Sequence, residues 1–222
     1  MPVDATPDKM TVIPRDSASL VILRGTVDTP QVLLGKRRDD ARFMPGSYVF
    51  PGGAVDPGDL ILGDDPTWPG TRFHAAALRE SWEEIGATIA KSGSRAAPSD
   101  AEDPFLRALT DAGMIPAPED LHYIARAITP PPSRIRFDTR FFMAFDDSLF
   151  GTPRAMGELP DVLWVDAVDA LTSEKVRSVT KFVLEEALGL WRHGESLTDG
   201  DRPIRIFSAR IMGQEPQSAG LM

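Results

Sequence analysis

Residues 74–86 carry the feature that most restricts how this chain can fold, because they form an amphipathic helix with an unusual charge pattern. At 100° per residue, an apolar stripe and an acidic stripe lie on opposite helix faces. The apolar stripe consists of Leu78, Trp82 and Ile85, and the acidic stripe of Glu80, Glu83 and Glu84. Gly86 is a natural stop. The helix must bury its apolar stripe while it presents three carboxylates on the other side.

The acidic stripe has two interpretations. Like charges at i, i+3 and i+4 destabilise an isolated helix by roughly 0.2–0.5 kcal/mol per pair. In the first interpretation the stripe is a solvated helix face on which Arg79 pairs with Glu83 at i+4. In the second it holds a hard divalent cation, which takes carboxylate oxygens and bridges to substrate phosphates. The helix alone favours the solvated face, so the choice depends on the residues before it.

Composition restricts the kind of site. With 222 residues and 42% hydrophobic content, the chain can bury a sizeable core, and we expect one domain with elaborations. The absence of Cys excludes disulfides, thiolate zinc sites and a cysteine nucleophile. His74, His122 and His193 lie too far apart in sequence for a local metal motif. Any metal is therefore expected to be bound mainly by oxygen.

Charge and hydropathy restrict the partners. The net charge of -9 argues against a general nucleic-acid surface, although acidic enzymes bind phosphates through a metal and a few arginines. The first residues lack a basic region followed by an apolar run, and no stretch approaches the length of a membrane span. We expect a soluble, cytoplasmic protein with a small-molecule partner, without nucleic acid or membrane; a homodimer is compatible with these features.

Local patterns predict the order of the elements. Apolar runs at 18–23 and 31–34, separated by turn signals, predict a β-hairpin. Residues 46–59 predict a strand that ends in an irregular Gly/Pro-rich loop, and residues 60–73, which lack periodicity, are interpreted as an inserted loop. Further strands are predicted at 121–129, 135–145 and 162–165, and helices at about 104–112 and within 173–193. Only the last ten or so residues are predicted to be disordered.

The loop and the acidic helix together resemble the Nudix box, Gly-x5-Glu-x7-Arg-Glu-U-x-Glu-Glu-x-Gly-U, where U is apolar. The matching residues are Gly53 and the run Arg79-Glu80-Ser81-Trp82-Glu83-Glu84-Ile85-Gly86-Ala87. There are three departures: Asp59 replaces Glu, Ser81 replaces an apolar residue, and nineteen residues rather than seven separate Asp59 from Arg79. Loop-closure entropy grows slowly with length, so twelve additional residues are tolerable.

The resemblance implies an α/β fold, a Nudix-type α/β/α sandwich around a mixed β-sheet. The domain would cover residues 18–192, with insertions at about 60–73 and 91–118, an N-terminal extension at 1–17 and a C-terminal extension at 193–222. The implied metal ligands are Glu80, Glu83, Glu84 and the carbonyl near Gly52 or Gly53, with Mg²⁺ or Mn²⁺ as cofactor. The implied catalytic residues are Glu80, Glu83, Arg79 and Glu158. The residues themselves leave Glu158 equally compatible with an ordinary loop glutamate.

Residues before the box resemble the motif of Nudix enzymes that cleave coenzyme A (CoA). Spacing is kept for Arg37, Arg42, Gly46 and the run Phe50-Pro51-Gly52-Gly53, while Gly35 and Arg38 depart from the motif. The implied substrate-binding residues are Arg37, Arg42, Gly46, Phe50, Gly52 and, from a later resembling stretch, Arg136. Arginine offers bidentate donors suited to phosphates. Equally, residues 36–38 fit a basic strand end that balances Asp39 and Asp40. Arg134, Arg136 and Arg140 on one strand face fit contact with substrate phosphates or a solvent-facing role.

The predicted reaction is hydrolysis of CoA or acyl-CoA to 3′,5′-ADP and 4′-phosphopantetheine or its acyl form. Two alternatives remain. One is a hydrolase of ADP-ribose or dinucleoside polyphosphates. The other is a noncatalytic Nudix module that binds a nucleotide, against which the intact Arg79-Glu80 and Glu83-Glu84 pairs argue, because a pure binder has no physical need for a crowded carboxylate cluster.

Overall fold

The structure is a computed structural model that describes residues 12–94, 103–131, 133–197, 199–208 and 213–222. Within these ranges the strands are β1 (Arg15–Gly25), β2 (Pro30–Lys36), β3 (Tyr48–Val49), β4 (Gly52–Ala54), β5 (Ala87–Ser92), β6 (Met114–Pro116), β7 (His122–Ile128), β8 (Phe137–Phe145), β9 (Leu149–Gly151), β10 (Asp161–Asp166), β11 (Ile204–Ser208) and β12 (Gly213–Glu215). The α-helices are α1 (Pro57–Asp64), α2 (Arg72–Ile85), α3 (Pro104–Asp111), α4 (Ala167–Thr172), α5 (Ser178–Arg192) and α6 (Gln217–Leu221).

The main sheet is mixed. Its order is β10-β2-β1-β8-β7-β11-β12, with β3 paired to β2 and β4 paired to β1. The β1–β8 and β7–β11 pairs are parallel, whereas the β1–β2 and β1–β4 pairs are antiparallel. The second half of β1 therefore pairs with β2 and its first half with β4. A smaller sheet, β6-β5-β9, lies beside the main one.

The main sheet is covered on both faces. Alternate residues of β1 enter two cores: Leu20 and Ile22 pack with the apolar face of α2, and Val21 and Leu23 pack with α5. A strand buried on both faces reads as a continuous apolar run, as residues 20–23 do. The layers are helix, sheet and helix, which confirms the predicted α/β/α sandwich. None of the described helices combines the length and apolar composition needed to cross a membrane.

Helix α2 begins and ends with specific caps. Thr71 is the N-cap, and its backbone N–H and hydroxyl both contact Nδ1 of His74, at 3.1 and 3.0 Å. At the other end, Gly86 takes a left-handed conformation at φ 65° and donates its N–H to Trp82. These caps place the acidic stripe between fixed ends, and Leu78 and Ile85 are fully buried as predicted.

Two predictions about local structure are wrong. The first part of residues 60–73 is not a loop, because α1 extends over Pro57–Asp64. Its N-cap Asp56 and the following Pro57 start the helix, and Leu62 contributes to the core. The last ten residues are not disordered, because β12 and α6 lie against the sheet edge. Within the predicted 91–118 insertion, α3 agrees with the prediction, and residues 95–102 lie outside the described residues.

Long-range charge pairs hold the C-terminal segment. Arg126 on β7 binds Asp138 at 2.6 and 2.7 Å and Glu215 at 2.6 Å. Arg140 on β8 donates to the Gly220 carbonyl at 2.8 Å and binds Asp16 at 2.9 Å. These arginines therefore face neither solvent nor substrate; they attach the segment after residue 204 to the sheet.

Burial of His74 predicts a pH-dependent stability. Burial lowers the pKa of His74 from its ordinary 6.5 to about 4, so in that interval the unfolded chain binds a proton that the folded chain excludes. The free energy of unfolding should be at its full value above about pH 6.5 and fall by about 3 kcal/mol as the pH approaches 4. Urea unfolding across this interval should show that His74→Gln, which can keep the capping box, loses this component. The same pH dependence in both proteins would contradict the assignment.

Candidate active site

The buried ion pair between Asp59 and Arg79 connects the loop to the acidic helix. Nε of Arg79 donates to Oδ1 of Asp59 at 3.1 Å, and one Nη donates to Oδ2 at 2.8 Å. Asp59 is only 3% exposed and Arg79 only 7%. The pair forms despite the nineteen intervening residues because α1 supplies Asp59 from its first turn, where Asp56 and Asp59 make reciprocal capping bonds. The inserted residues follow this contact and leave it intact.

Arg79 also contacts the glutamates. Its other Nη donates to Glu80 at 3.0 Å and to Glu83 at 2.9 Å, and the Nη bound to Asp59 also donates to the Ala54 carbonyl at 3.0 Å. Burial by itself lowers the pKa of Arg79, but Asp59, Glu80 and Glu83 together hold it above the ordinary value. The permanently charged guanidinium thus joins the loop, β4 and the acidic stripe.

Glu84 lies deepest of the three glutamates. It is 6% exposed, and one carboxylate oxygen accepts the Gly52 N–H at 2.8 Å. Burial raises the pKa of Glu84 to about 8, with Glu80 and Glu158 raising it and the Gly52 N–H and Arg37 lowering it. Burial likewise raises the pKa of Glu80, against the opposing effect of Arg79. A buried carboxylate beside a partly buried one favours an additional cation nearby.

Glycine is required where the loop meets the helix. A Cβ added to Gly53 would overlap the carboxylate of Glu80, and one added to Gly52 would overlap Ser19 and the Ala18 carbonyl of β1. Gly46 has a different reason: its φ is 65°, its N–H donates to the Arg38 carbonyl at 3.2 Å, and a Cβ would lie 2.9 Å from Asp39. Gly46 therefore shapes the loop after β2.

Glu158 lies beside the same cluster. Its side chain is 70% exposed, and Nη2 of Arg37 contacts its Oε2 at 3.1 Å. Nε of Arg37 is buried and has no hydrogen-bond partner among the described residues. The structure thus brings together an arginine predicted to bind substrate and an acid predicted to act in catalysis.

The donor set fits a hard divalent cation. Within the described ranges, no group of three or more Asp, Glu or His side chains is arranged so that it could hold a metal ion without rearrangement. Each of the three glutamates uses one carboxylate oxygen, with Arg79 or Gly52 as donor, and its second oxygen has no protein partner in the described part of the chain. Three available oxygen atoms at one cavity wall match the ligand preference of Mg²⁺ and Mn²⁺.

One cavity of about 1240 Å³ collects nearly all the predicted site residues. It is lined by Glu80, Glu83, Glu84, Glu158, Gly52, Gly53, Arg37, Arg42, Phe50 and Arg136. Arg79 lies behind the glutamates and Gly46 in the neighbouring loop, so both act on the site from outside the wall. The guanidinium of Arg136 donates to the carbonyls of Thr129 and Val12 at 2.9 and 2.5 Å, and its substrate-binding role stays a prediction.

Sequence reasoning missed the part of the cavity wall that the main sheet forms. Alternate residues of β1 and β8 line it, namely Arg15, Ser17, Ser19, Phe137, Thr139 and Phe141. The parallel register pairs Arg15 with Phe137, Ser17 with Thr139 and Ser19 with Phe141. The period-two pattern of β8 was a usable signal, but the pairing of β8 with β1 is long-range and leaves no local trace.

The NUDIX domain family model matches residues 14–182. The chain belongs to the NUDIX family. A NUDIX hydrolase of Alicyclobacillus acidocaldarius has 31% sequence identity and a TM-score of 0.67, with 85% of this chain and 97% of that chain covered. A MutT NUDIX hydrolase of Burkholderia pseudomallei, at 17% identity and a TM-score of 0.51 over 79% and 98% of the two chains, shares the fold.

Sequence relatives agree with this assignment. Putative nudix hydrolase 7 of Caenorhabditis elegans is 32% identical over 167 residues, which are 71% of this chain and 53% of that protein. The uncharacterized Nudix hydrolase NudL of an Enterobacter strain is 39% identical over 74 residues, one third of each protein. The matches thus span about half and one third of the two relatives. The predicted Nudix membership is confirmed, and Nudix hydrolases in general use divalent metals such as Mg²⁺ and act on small nucleotide substrates.

Removing the charge of Asp59 should destabilise both the fold and the site. Asp59→Asn weakens the two charge-assisted hydrogen bonds that join α1 to α2, while Glu80 and Glu83 still pair with Arg79, so the cost is about 1.5–3 kcal/mol. We expect Asp59→Asn to lower the free energy of unfolding by about this amount in urea titrations. The exposed Asp64→Asn on the same helix should change it by less than about 0.5 kcal/mol. Asp59→Glu restores the usual Nudix residue and should retain most of the stability. Equal stabilities of Asp59→Asn and Asp64→Asn would contradict the role of the pair.

Proposed function

We propose that this chain is a metal-dependent diphosphatase that hydrolyses CoA or acyl-CoA to 3′,5′-ADP and 4′-phosphopantetheine or its acyl form. The observation that carries the proposal is the shared cavity: Arg37, Arg42 and Phe50, which resemble the CoA-cleaving motif, line the same space as the three glutamates. A diphosphate bound at the glutamates would thus lie in the same cavity as the predicted CoA-binding residues.

Glu80, Glu83 and Glu84 would hold Mg²⁺ or Mn²⁺, with the carbonyl at Gly53 as a further oxygen ligand. Such a cation neutralises diphosphate charge and lowers the pKa of bound water. Residues of the chain hold the metal-binding carboxylates in position. Arg79 keeps the carboxylates of Glu80 and Glu83 in place, and Gly52 holds that of Glu84. The missing Cβ of Gly53 lets the carboxylate of Glu80 lie close against the loop.

Proton transfer falls to Glu80 or Glu158. Water attacks one phosphorus of the diphosphate, its proton passes to the carboxylate, and the anhydride P–O bond breaks to release the second phosphate group. Arg37 and Arg42 stabilise the charge on the phosphates through charge-assisted hydrogen bonds. Arg37 lies beside one of the two candidate bases, because its Nη2 donates to Glu158.

The corresponding test is turnover on a substrate panel with Mg²⁺ or Mn²⁺. We expect the purified protein to hydrolyse CoA and acyl-CoA in preference to ADP-ribose, NADH and dinucleoside polyphosphates, and to lose activity with EDTA. Glu83→Gln should lower kcat by about 100-fold or more, the order found when one electrostatic stabiliser is removed. The matched control is Glu185→Gln, an exposed glutamate on α5 outside the cavity, which should retain full turnover.

The outcomes separate the candidate functions. Activity on ADP-ribose without activity on CoA would contradict the substrate assignment and retain the reaction class. Tight nucleotide binding without turnover, unchanged in Glu83→Gln, would favour the noncatalytic module. A cytoplasmic location and a homodimer remain further proposals. Cell fractionation tests the location, and sedimentation analysis tests the oligomeric state.

A further inference from the structure

The rim of the cavity distant from the glutamates carries two arginines that the proposed reaction does not use. Arg15, at the start of β1, and Arg134, before β8, are exposed and line the cavity. Within the described part of the chain, neither has a carboxylate within ion-pair distance. By contrast Arg72, Arg79, Arg126 and Arg140 all pair with acids. In a chain of net charge -9, two uncompensated guanidinium groups at one cavity rim form a local positive region.

Hydrogen bonds made by Arg136 hold this rim together. The buried Arg136 donates to the Thr129 carbonyl at 2.9 Å and to the Val12 carbonyl at 2.5 Å, and its own carbonyl accepts the Arg15 N–H at 2.9 Å. Arg136 therefore ties the segment that carries Arg15 to the turn that carries Arg134. This positioning gives the rim a defined shape before any ligand arrives.

The register of β1 sets the distance from the rim to the glutamates. Ser19 pairs with Gly52, whose N–H binds Glu84, and Arg15 lies four residues earlier on the same strand. At about 3.3 Å per residue, the two backbone positions are about 13 Å apart. Phe137 is the register partner of Arg15 on β8, and its ring meets that of Phe43 edge to face at 5.4 Å. An aromatic surface thus borders the cavity beside the positive rim.

We propose that Arg15 and Arg134 form a second phosphate subsite, which recognises a phosphate on the nucleoside ribose, separate from the diphosphate at the glutamates. Guanidinium groups bind phosphate oxygens through paired, charge-assisted hydrogen bonds. The aromatic rings of Phe43 and Phe137, beside the positive rim, provide a surface for the base next to the ribose phosphate. The inference rests on the proposed diphosphatase function and adds a selectivity: substrates that carry the ribose phosphate bind better than those that lack it.

The kinetic arm compares CoA with dephospho-CoA, which differ only in the 3′-phosphate. Wild-type protein should have a kcat/KM about tenfold higher for CoA, through KM. Arg15→Ala and Arg134→Ala should each reduce this ratio about fivefold through a higher KM for CoA. The exposed Arg192→Ala, outside the cavity, changes the net charge equally and should keep the ratio. Circular dichroism establishes that all variants are folded.

The binding arm needs no turnover and uses isothermal titration with 3′,5′-ADP, 5′-AMP and ATP. Tighter binding of 3′,5′-ADP than of 5′-AMP, lost in Arg15→Ala and Arg134→Ala, supports the subsite even if no CoA is hydrolysed; in that case only the proposed function fails. Hydrolysis of CoA and dephospho-CoA with equal kcat/KM overturns the subsite and leaves the function standing. If the two variants weaken the binding of ATP but not that of 3′,5′-ADP, the rim binds a polyphosphate chain. That result also overturns the proposal.

Discussion

The guanidinium of Arg79 is the group on which the rest of the site depends. It holds Asp59 of α1, the Ala54 carbonyl of β4 and the carboxylates of Glu80 and Glu83 at the same time. Disturbing this buried guanidinium is costly, because each contact that is lost is a charge-assisted hydrogen bond between two different elements of the fold or within the acidic stripe. The inserted residues could therefore lengthen the chain between loop and helix without altering the contact that defines their relative position.

The same group explains why three glutamates can share one helix face. One positive charge cannot neutralise Asp59, Glu80 and Glu83 together, and Glu84 has only a backbone N–H as its direct donor. Burial raises the pKa of both Glu80 and Glu84, so the cluster favours a cation beyond those the chain provides. A divalent metal beside a diphosphate meets this requirement, whereas a solvated acidic face would not bury Glu84 to 6% exposure.

Sequence reasoning succeeded where the signal was local and failed where it was not. Helix α2, its stop at Gly86 and the β1–β2 hairpin follow from apolar periodicity and turn residues, and all three are present. Helix α1 lacks a strong apolar stripe, although the sequence Asp56-Pro57 before it was a usable start signal. Strand β12 has the sequence Gly-Gln-Glu, which shows no strand pattern. Its position depends on long-range contacts: Arg126 binds Glu215 in β12, and Arg140 binds the Gly220 carbonyl that follows it.

The site shows the same division. The glutamates, Arg79 and the glycines were predictable because they belong to one sequence motif, and their contacts are mainly with other residues of that motif. The positions of Arg15 and Phe137 at one cavity were not, because they follow from the parallel pairing of strands separated by more than one hundred residues. Likewise, nothing local indicates that Arg140 is buried against Asp16 and the Phe73 ring.

The central claim is that the three glutamates hold divalent metal. Anomalous diffraction from crystals soaked with MnCl₂ tests it most directly, because it locates the ion independently of turnover. The account predicts at least one manganese peak within about 2.0–2.6 Å of carboxylate oxygens of Glu80, Glu83 or Glu84. Crystals in which manganese occupies other positions, while these three carboxylates keep only Arg79 and Gly52 as partners, would contradict it.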